Sequence, residues 1–357
     1  MKPPILIGEN ISFSPEFYAH LDKLSNSFVI VTDSTVKKLY AKDLERRLRS
    51  RGHTVKTFHF KGGETSKNRE TKAHLEDQMI KNGIHRDFVM IALGGGVVTD
   101  LAGYIAATFL RGLKLINMPT SLVGMVDASH GGKNGINTDV GKNLIGSFYI
   151  PSLIVVDPMF LRTLPDEEMK NGLSEMIKHS LVSDSNLFTE LYNSPEYYRT
   201  PLILRSIEIK YSIIGKDLLD RGLRNLLNFG HSIGHAIELT SNYQVGHGLA
   251  VAMGIMTECR LSKELSKEDL QQIDSIFEKY NYPLFLPENV TKEGIYKTLL
   301  FDKKAMHGTI NCTFLSKIGT SYLERIDPNA MEYAIDWMFK RFGPPHYAEN
   351  FNHALVD

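Results

Sequence analysis

The sequence predicts an α/β protein in two parts: a parallel-sheet domain over residues 1–160 and a mostly α-helical domain over 161–357. Three observations predict it. Short apolar runs alternate with amphipathic helical segments through the first half, the texture of a mostly parallel sheet layered with helices. Several of those runs end in Gly, Asp, Thr or Ser, at the strand ends where such sheets bind ligands. Past about residue 160, after Pro158, long helical patterns take over.

Taken in order, "FVIVTDS" (28–34), "TVKTFHF" (54–60), "FVMIALGGG" (88–96), "LKLINMP" (113–119) and "SLIVVDP" (152–158) read as buried strands of a Rossmann-like layer. Between the second and third, "KNRETKAHLEDQMIKNG" (67–83) carries an apolar stripe at helical spacing. The segment 126–151 reads as one loop. In the second half, 166–182, 185–193, 201–220 and 249–266 have helical patterns, and 224–238 places His231 and His235 on one helical face.

The bulk numbers exclude some classes. A chain of 357 residues with 42% hydrophobic content can build two cores. Acidic and basic residues balance at 41 each, which argues against a nucleic-acid partner. Cys259 and Cys312 fit neither a disulfide framework nor a zinc ribbon. "MKPPILIGEN" lacks the layout of a signal peptide, and no run is apolar enough to span a bilayer. The expectation is a cytoplasmic protein with a small-molecule partner and no membrane or nucleic-acid partner.

Four motifs carry chemistry. In "MIALGGGVVTDLAGYIAATFLRG" (90–112) a strand runs into three glycines and a helix. Such a turn lets backbone N–H groups and a helix N-terminus meet a phosphate; a tight packing turn is the alternative. It is not the GxGxxG fingerprint. In "VDASHGGKNGINTDVGKNLIGSFYIP" (126–151), Lys133 and Lys142 each follow a glycine, which suits anion binding, although solvated lysines are common. In "NGLSEMIKHSL" (171–181), Glu175 and Lys178 stand three apart among apolar neighbours, either a surface ion pair or a buried carboxylate that a metal would satisfy. Finally, His231, His235 and the glycine-flanked His247 are metal or proton-handling candidates, with packed core histidines the alternative.

Together, GGGVVTD, VDASHGGK, GKNLIGSFY, SEMIKH, GLRNLLNFGHSIGHAIE, GHGLAVAMG and DKK resemble, in order and spacing over about 28–320, the 3-dehydroquinate synthase family of sugar-phosphate cyclases. The resemblance implies a divalent metal, zinc or else cobalt, on Glu175, His231 and His247. It implies NAD on Asp33, Glu64, Lys67, Gly95, Gly96, Val97, Asp100, Thr120, Ser121, Asp127, Lys133, Lys142, Phe160 and Thr163. Substrate phosphate would fall to Lys133, Asn143, Lys303 or Lys304, and Arg111 from a neighbouring subunit of a homodimer. Lys210 and Arg224 would face the substrate carboxylate, while Lys178, Asn228 and His235 would face ring hydroxyls.

The implied reaction oxidises a ring hydroxyl with NAD, eliminates phosphate, returns the hydride and closes a carbocycle. NAD is then not consumed. The substrate implied is 3-deoxy-D-arabino-heptulosonate 7-phosphate, with sedoheptulose 7-phosphate cyclases as close relatives. The chain departs from the pattern at Thr99, at His130, at Asn134, and at Leu249, where a glutamate often supports the metal histidine. Other readings are a metal-dependent polyol dehydrogenase and a non-catalytic binding protein.

Overall fold

In the computed structural model the described residues are 2–139, 141–220, 222–301 and 309–345. They form two compact units, Met1–Met169 with Tyr198–Ile207, and Lys170–Tyr197 with Glu208–Asp357. The first unit thus runs past residue 160, and the reason is local. The 3-10 turn Pro158–Thr163 stays with the sheet because Tyr40 packs on Phe160 at 4.7 Å and bonds Thr163 Oγ1 at 2.5 Å.

The elements of the first part, in chain order, are β1 (Ile5–Ile7), α1 (Pro15–Leu24), β2 (Ser27–Asp33), α2 (Ser34–Val36), α3 (Lys42–Ser50), β3 (Thr54–Phe60), α4 (Arg69–Lys81), β4 (Val89–Gly94), α5 (Gly96–Thr108), β5 (Leu115–Pro119), β6 (Lys133–Thr138), β7 (Gly141–Phe148) and β8 (Leu153–Val156). Six strands pair in the order β1-β8-β5-β4-β2-β3, all parallel. The central strands β4, β5 and β8 are buried at every position, as expected when helices cover both faces. Val29, Val31, Leu75, Met79, Met90, Ala92, Leu101 and Ile105 share one core.

The segment expected to be a loop at 126–151 is instead mostly an antiparallel hairpin, β6 with β7, Lys133 opposite Phe148 and Asn134 opposite Ser147. Gly135 and Gly146 make the pairing possible: a Cβ on Gly146 would sit 2.0 Å from the Asn134 carbonyl oxygen. Glycine spacing, read as loop chemistry, here serves close strand approach.

Asp157, fully buried, ends β8 and holds the chain after β1. Its carboxylate accepts from Asn10 N (2.8 Å), Ser12 N (3.1 Å), Ser12 Oγ (2.6 Å) and Met159 N (3.1 Å). Asp157→Ala orphans these donors and should cost about 3 kcal/mol. A lowered urea midpoint reads that loss; an unchanged midpoint contradicts it.

From residue 166 on, the chain contains α6 (Asp166–Ser183), α7 (Ser185–Asn193), α8 (Thr200–Ile214, its first half counted in the first unit), α9 (His231–Thr240), α10 (His247–Cys259), α11 (Lys267–Lys279), α12 (Lys292–Phe301), β9 (Ile310–Lys317), β10 (Thr320–Ile326) and α13 (Glu332–Phe342). This stretch is mostly helical, with the β9–β10 hairpin as an addition. Three expected helices are shorter than their patterns. The one expected over 201–220 stops at Ile214, where Gly215 N closes on Tyr211 O. The one expected to reach 266 stops at Cys259, because Ser266 caps α11 in a reciprocal box with Asp269. The stretch 224–238 is broken at Gly230, whose φ of 76° starts α9 afresh. No helix among the described residues is long and apolar enough to cross a membrane.

Candidate functional site

In the second unit, two antiparallel helices deliver two histidines. His231 is the first residue of α9 and His247 the first of α10. The helices meet through glycine: a Cβ on Gly254 would lie 2.0 Å from Gly230 O, and one on Gly234 would lie 3.2 Å from the Ala250 carbonyl. Buried Glu258, near the end of α10, accepts from Gly230 N at 2.8 Å and Ile233 N at 3.3 Å, which fixes the start of α9. The start of α10 is pinned on α6: Gly248 N donates to Asn171 Oδ1 and Ser174 Oγ donates to Gly248 O, both at 2.8 Å.

Those contacts set His247 beside Glu175, the residue after Ser174. Glu175 Oε1 lies 3.5 Å from His231 Nε2 and 3.3 Å from His247 Nε2, while Lys178 Nζ donates to Oε2. One carboxylate thus divides its oxygens, one toward the imidazoles and one toward an ammonium. The three donor atoms lie within 4.8 Å of one another, a Glu-His-His set that fits a divalent cation with a position left open. Backbone and side-chain partners orient both rings: Phe229 O lies 3.1 Å from His231 Nδ1, and Glu238 Oε1 lies 3.5 Å from His247 Nδ1.

The electrostatics of the two imidazoles differ. Burial, followed by the Lys178 ammonium, holds His231 well below the usual histidine range, so it is neutral and ready to ligate. Burial also pushes His247 down, but the hydrogen bonds its ring donates to the Glu175 and Glu238 carboxylates outweigh it and bring it to about 10. Proton and cation therefore compete at His247.

Around this centre, the His235 ring stands edge-on to His231 at 5.2 Å, and Asn228 Nδ2 bonds Asn225 Oδ1 at 3.0 Å. Buried Arg224 donates its backbone N–H to Asp217 Oδ2 at 3.0 Å and its guanidinium to Leu218 O at 2.8 Å. Lys210 is buried on α8. Lys303 and Lys304 lie outside the described residues.

In the first unit, β4 ends at the glycine turn and α5 starts from Gly95 with no side-chain cap, leaving backbone donors at its N-terminus. A Cβ on Gly95 would stand 3.1 Å from Ser121 Oγ, one on Gly96 3.3 Å from Ala128, and one on Gly94 2.4 Å from Val98. This close, uncapped turn fits a dinucleotide phosphate. Thr120 N bonds Gly94 O at 3.0 Å, and Val97 lies in the first turn of α5.

Buried Lys67 donates to Asp100 Oδ2 and Asn143 Oδ1, both at 2.5 Å. Glu64 joins the same network through Asn137, whose Nδ2 donates at 2.7 Å and whose Oδ1 takes Asn143 N at 3.0 Å. Burial opposes the charge on Lys67, yet Asp100 and Glu64 raise its pKa above the usual lysine value.

The other expected residues lie on separate elements of this unit. Asp33 caps α2 through Thr35 N and Val36 N. Asp127 lies on the π-helical turn Gly124–Ala128. Lys133 opens β6, and Lys142 lies on β7 rather than in a loop. Arg111 is exposed at φ 69°, next to Leu110 at φ 50°, a left-handed corner. Phe160 and Thr163 face Tyr40.

The departures from the family pattern have local explanations. Thr99 is buried, and its hydroxyl bonds Gly96 O at 3.1 Å. His130 Nε2 bonds Met125 O at 2.7 Å, and Asn134 Nδ2 bonds Gly132 O and Tyr149 O. Leu249 does remove one carboxylate, but Glu238 stands at His247 in its place. Glu238, Glu258, Asn137, Asn171 and Ser174 had no signal in a linear reading except that Glu238 follows His231 by two helical turns.

Comparison with known proteins agrees with the geometry. The 3-dehydroquinate synthase N-terminal model matches residues 57–171, and the C-terminal model matches 172–305. A 3-dehydroquinate synthase of Streptococcus pneumoniae (strain JJA) is 38% identical over 322 residues, 87% of this chain and 90% of that protein. One of Nostoc punctiforme is 37% identical over 83% of this chain and 85% of its own. Among solved structures, 2-epi-5-epi-valiolone synthase of Streptomyces hygroscopicus subsp. jinggangensis 5008, with NAD+ and Zn2+ bound, matches with a TM-score of 0.87 at 26% identity, covering 96% of this chain and 98% of that one. An iron-containing alcohol dehydrogenase of Thermotoga maritima shares the fold at a TM-score of 0.65 and 14% identity, covering 95% and 98%. With both halves matched and relatives aligned over most of their length, the chain belongs to the 3-dehydroquinate synthase family.

Proposed function

We propose that the chain converts 3-deoxy-D-arabino-heptulosonate 7-phosphate to 3-dehydroquinate and phosphate, as a cytoplasmic homodimer using NAD and a divalent cation, zinc or cobalt. The observation that carries this reading is Glu175 Oε1 facing the Nε2 atoms of His231 and His247. NAD would supply a hydride acceptor that is regenerated within the cycle, and the cation a Lewis acid at the hydroxyl being oxidised.

The chain's own residues do the rest. Glu175, His231 and His247 hold the cation. Lys178, fixed on the second oxygen of Glu175, places a positive charge next to that position, with Asn228 and His235 toward the ring hydroxyls. Arg224 and Lys210 take the substrate carboxylate, which a guanidinium can grip through two parallel bonds. Lys133, Asn143, Lys303 or Lys304, and a second subunit's arginine equivalent to Arg111 are assigned to the phosphate. The glycine turn Gly95–Val97, with Asp33, Glu64, Lys67, Asp100, Thr120, Ser121, Asp127, Lys142, Phe160 and Thr163, is assigned to NAD.

One incubation tests the reading. Phosphate should appear with the heptulosonate phosphate while NADH stays level. NADH rising in step with substrate loss would favour a dehydrogenase, and turnover of sedoheptulose 7-phosphate alone would replace the substrate. Arg224→Met should raise the substrate KM about 10- to 100-fold, the loss of a charge-assisted pair, with NAD affinity kept. Equal losses in both would remove Arg224 from the substrate's carboxylate.

A further inference from the structure

Glu238 is a buried carboxylate that the family pattern did not assign, and it stands against one of the candidate ligands. It projects from α9 toward Nδ1 of His247, at 3.5 Å, while Nε2 of the same ring faces Glu175 Oε1 at 3.3 Å. The ring therefore stands between two carboxylates, one per nitrogen. His231 differs, because its Nδ1 meets the neutral carbonyl of Phe229.

We propose that Glu238 is the positioning residue of the cation centre, accepting a hydrogen bond from the Nδ1–H of His247 so that Nε2 is held as the donor. This rests on the reading of Glu175, His231 and His247 as a cation site. The physical basis is general: a metal-bound imidazole that donates its remote N–H to a carboxylate is locked in one tautomer and made more basic. The position two residues after His247, where relatives of the pattern place a glutamate, is Leu249 here and has no charge to offer. In this chain the support comes from the end of the preceding helix.

The arrangement also makes the two histidines unequal. His247, backed by an anion, is the stronger donor and sets the affinity; His231, backed by a carbonyl, completes the geometry.

The test uses the full chain stripped of metal and titrated with Co2+, read by competition with a chromophoric chelator and by the visible absorption of the bound ion. Wild type should bind one Co2+ per chain. Glu238→Gln, which keeps shape and an acceptor but loses the charge, should weaken binding about 10- to 100-fold and shift the Co2+ bands, while thermal stability of the metal-free protein changes little. Glu238→Asp, shorter by one methylene but still anionic, should fall between the two and serves if the glutamine variant does not fold. Affinity and spectrum like wild type in both variants would overturn the role of Glu238 and leave the centre intact. No Co2+ binding by wild type would overturn the centre itself, and the role of Glu238 with it.

Discussion

Glu175→Gln is expected to abolish tight divalent-cation binding and to lower kcat/KM on the order of 10³-fold. The amide keeps an oxygen near His231 and His247 but removes the carboxylate charge that faces their Nε2 atoms. It also strands Lys178, which is almost wholly buried and held by the other oxygen of Glu175. Removing one member of a buried ion pair costs about 3–5 kcal/mol, so the single variant should also lose stability. The two losses separate in the double variant Glu175→Gln, Lys178→Met. It should regain most of the lost thermal midpoint, since no buried charge remains unpaired, yet bind no cation by calorimetry. Retained cation and normal turnover in the single variant would take Glu175 out of the ligand set.

Gly254→Ala should have the next largest effect, although residue 254 is neither a ligand nor charged. A methyl group there would stand 2.0 Å from Gly230 O and 3.0 Å from Gly234 N. Backbone cannot rotate aside as a side chain can, so α9 and α10 must separate. Overpacking of this kind costs about 1–3 kcal/mol or more. Because His231 and His247 begin these two helices, separation pulls the donors apart, and a displacement of about 1 Å at such a centre is worth about 10²-fold in rate. Thermal unfolding and cation affinity, measured on the same preparation, should both fall. Unchanged affinity would mean that the helix crossing does not set the donor spacing.

The sheet was legible because four of its six strands, β2, β4, β5 and β8, carry buried apolar runs, and burial on both faces writes itself as near-continuous apolar sequence; β3, expected to be buried, is the opposite edge of the sheet and only partly covered. β1 was not legible, since three residues carry no periodicity. The β9–β10 hairpin escaped for a different reason: it lies between helical patterns, and helical texture dominated the reading. At the candidate site, the cluster of Glu175, His231 and His247 was legible through the family resemblance, and the structure brings the three together in the second unit. What supports the ligands was not. Glu258 reaches Gly230 across 28 positions and Gly248 reaches Asn171 across 77, and no local rule spans such distances.

The Asp157 latch bears on self-association. β1 is a three-residue edge strand covering one side of β8, whose four residues are wholly apolar. Such an edge is too short to template strand addition by another copy, a common natural guard against aggregation. If the latch is cut, β1 can peel away and uncover Leu153–Val156 as an open hydrogen-bonding border. Failure of that variant would then first appear as insoluble protein during synthesis, upstream of any change in chemistry.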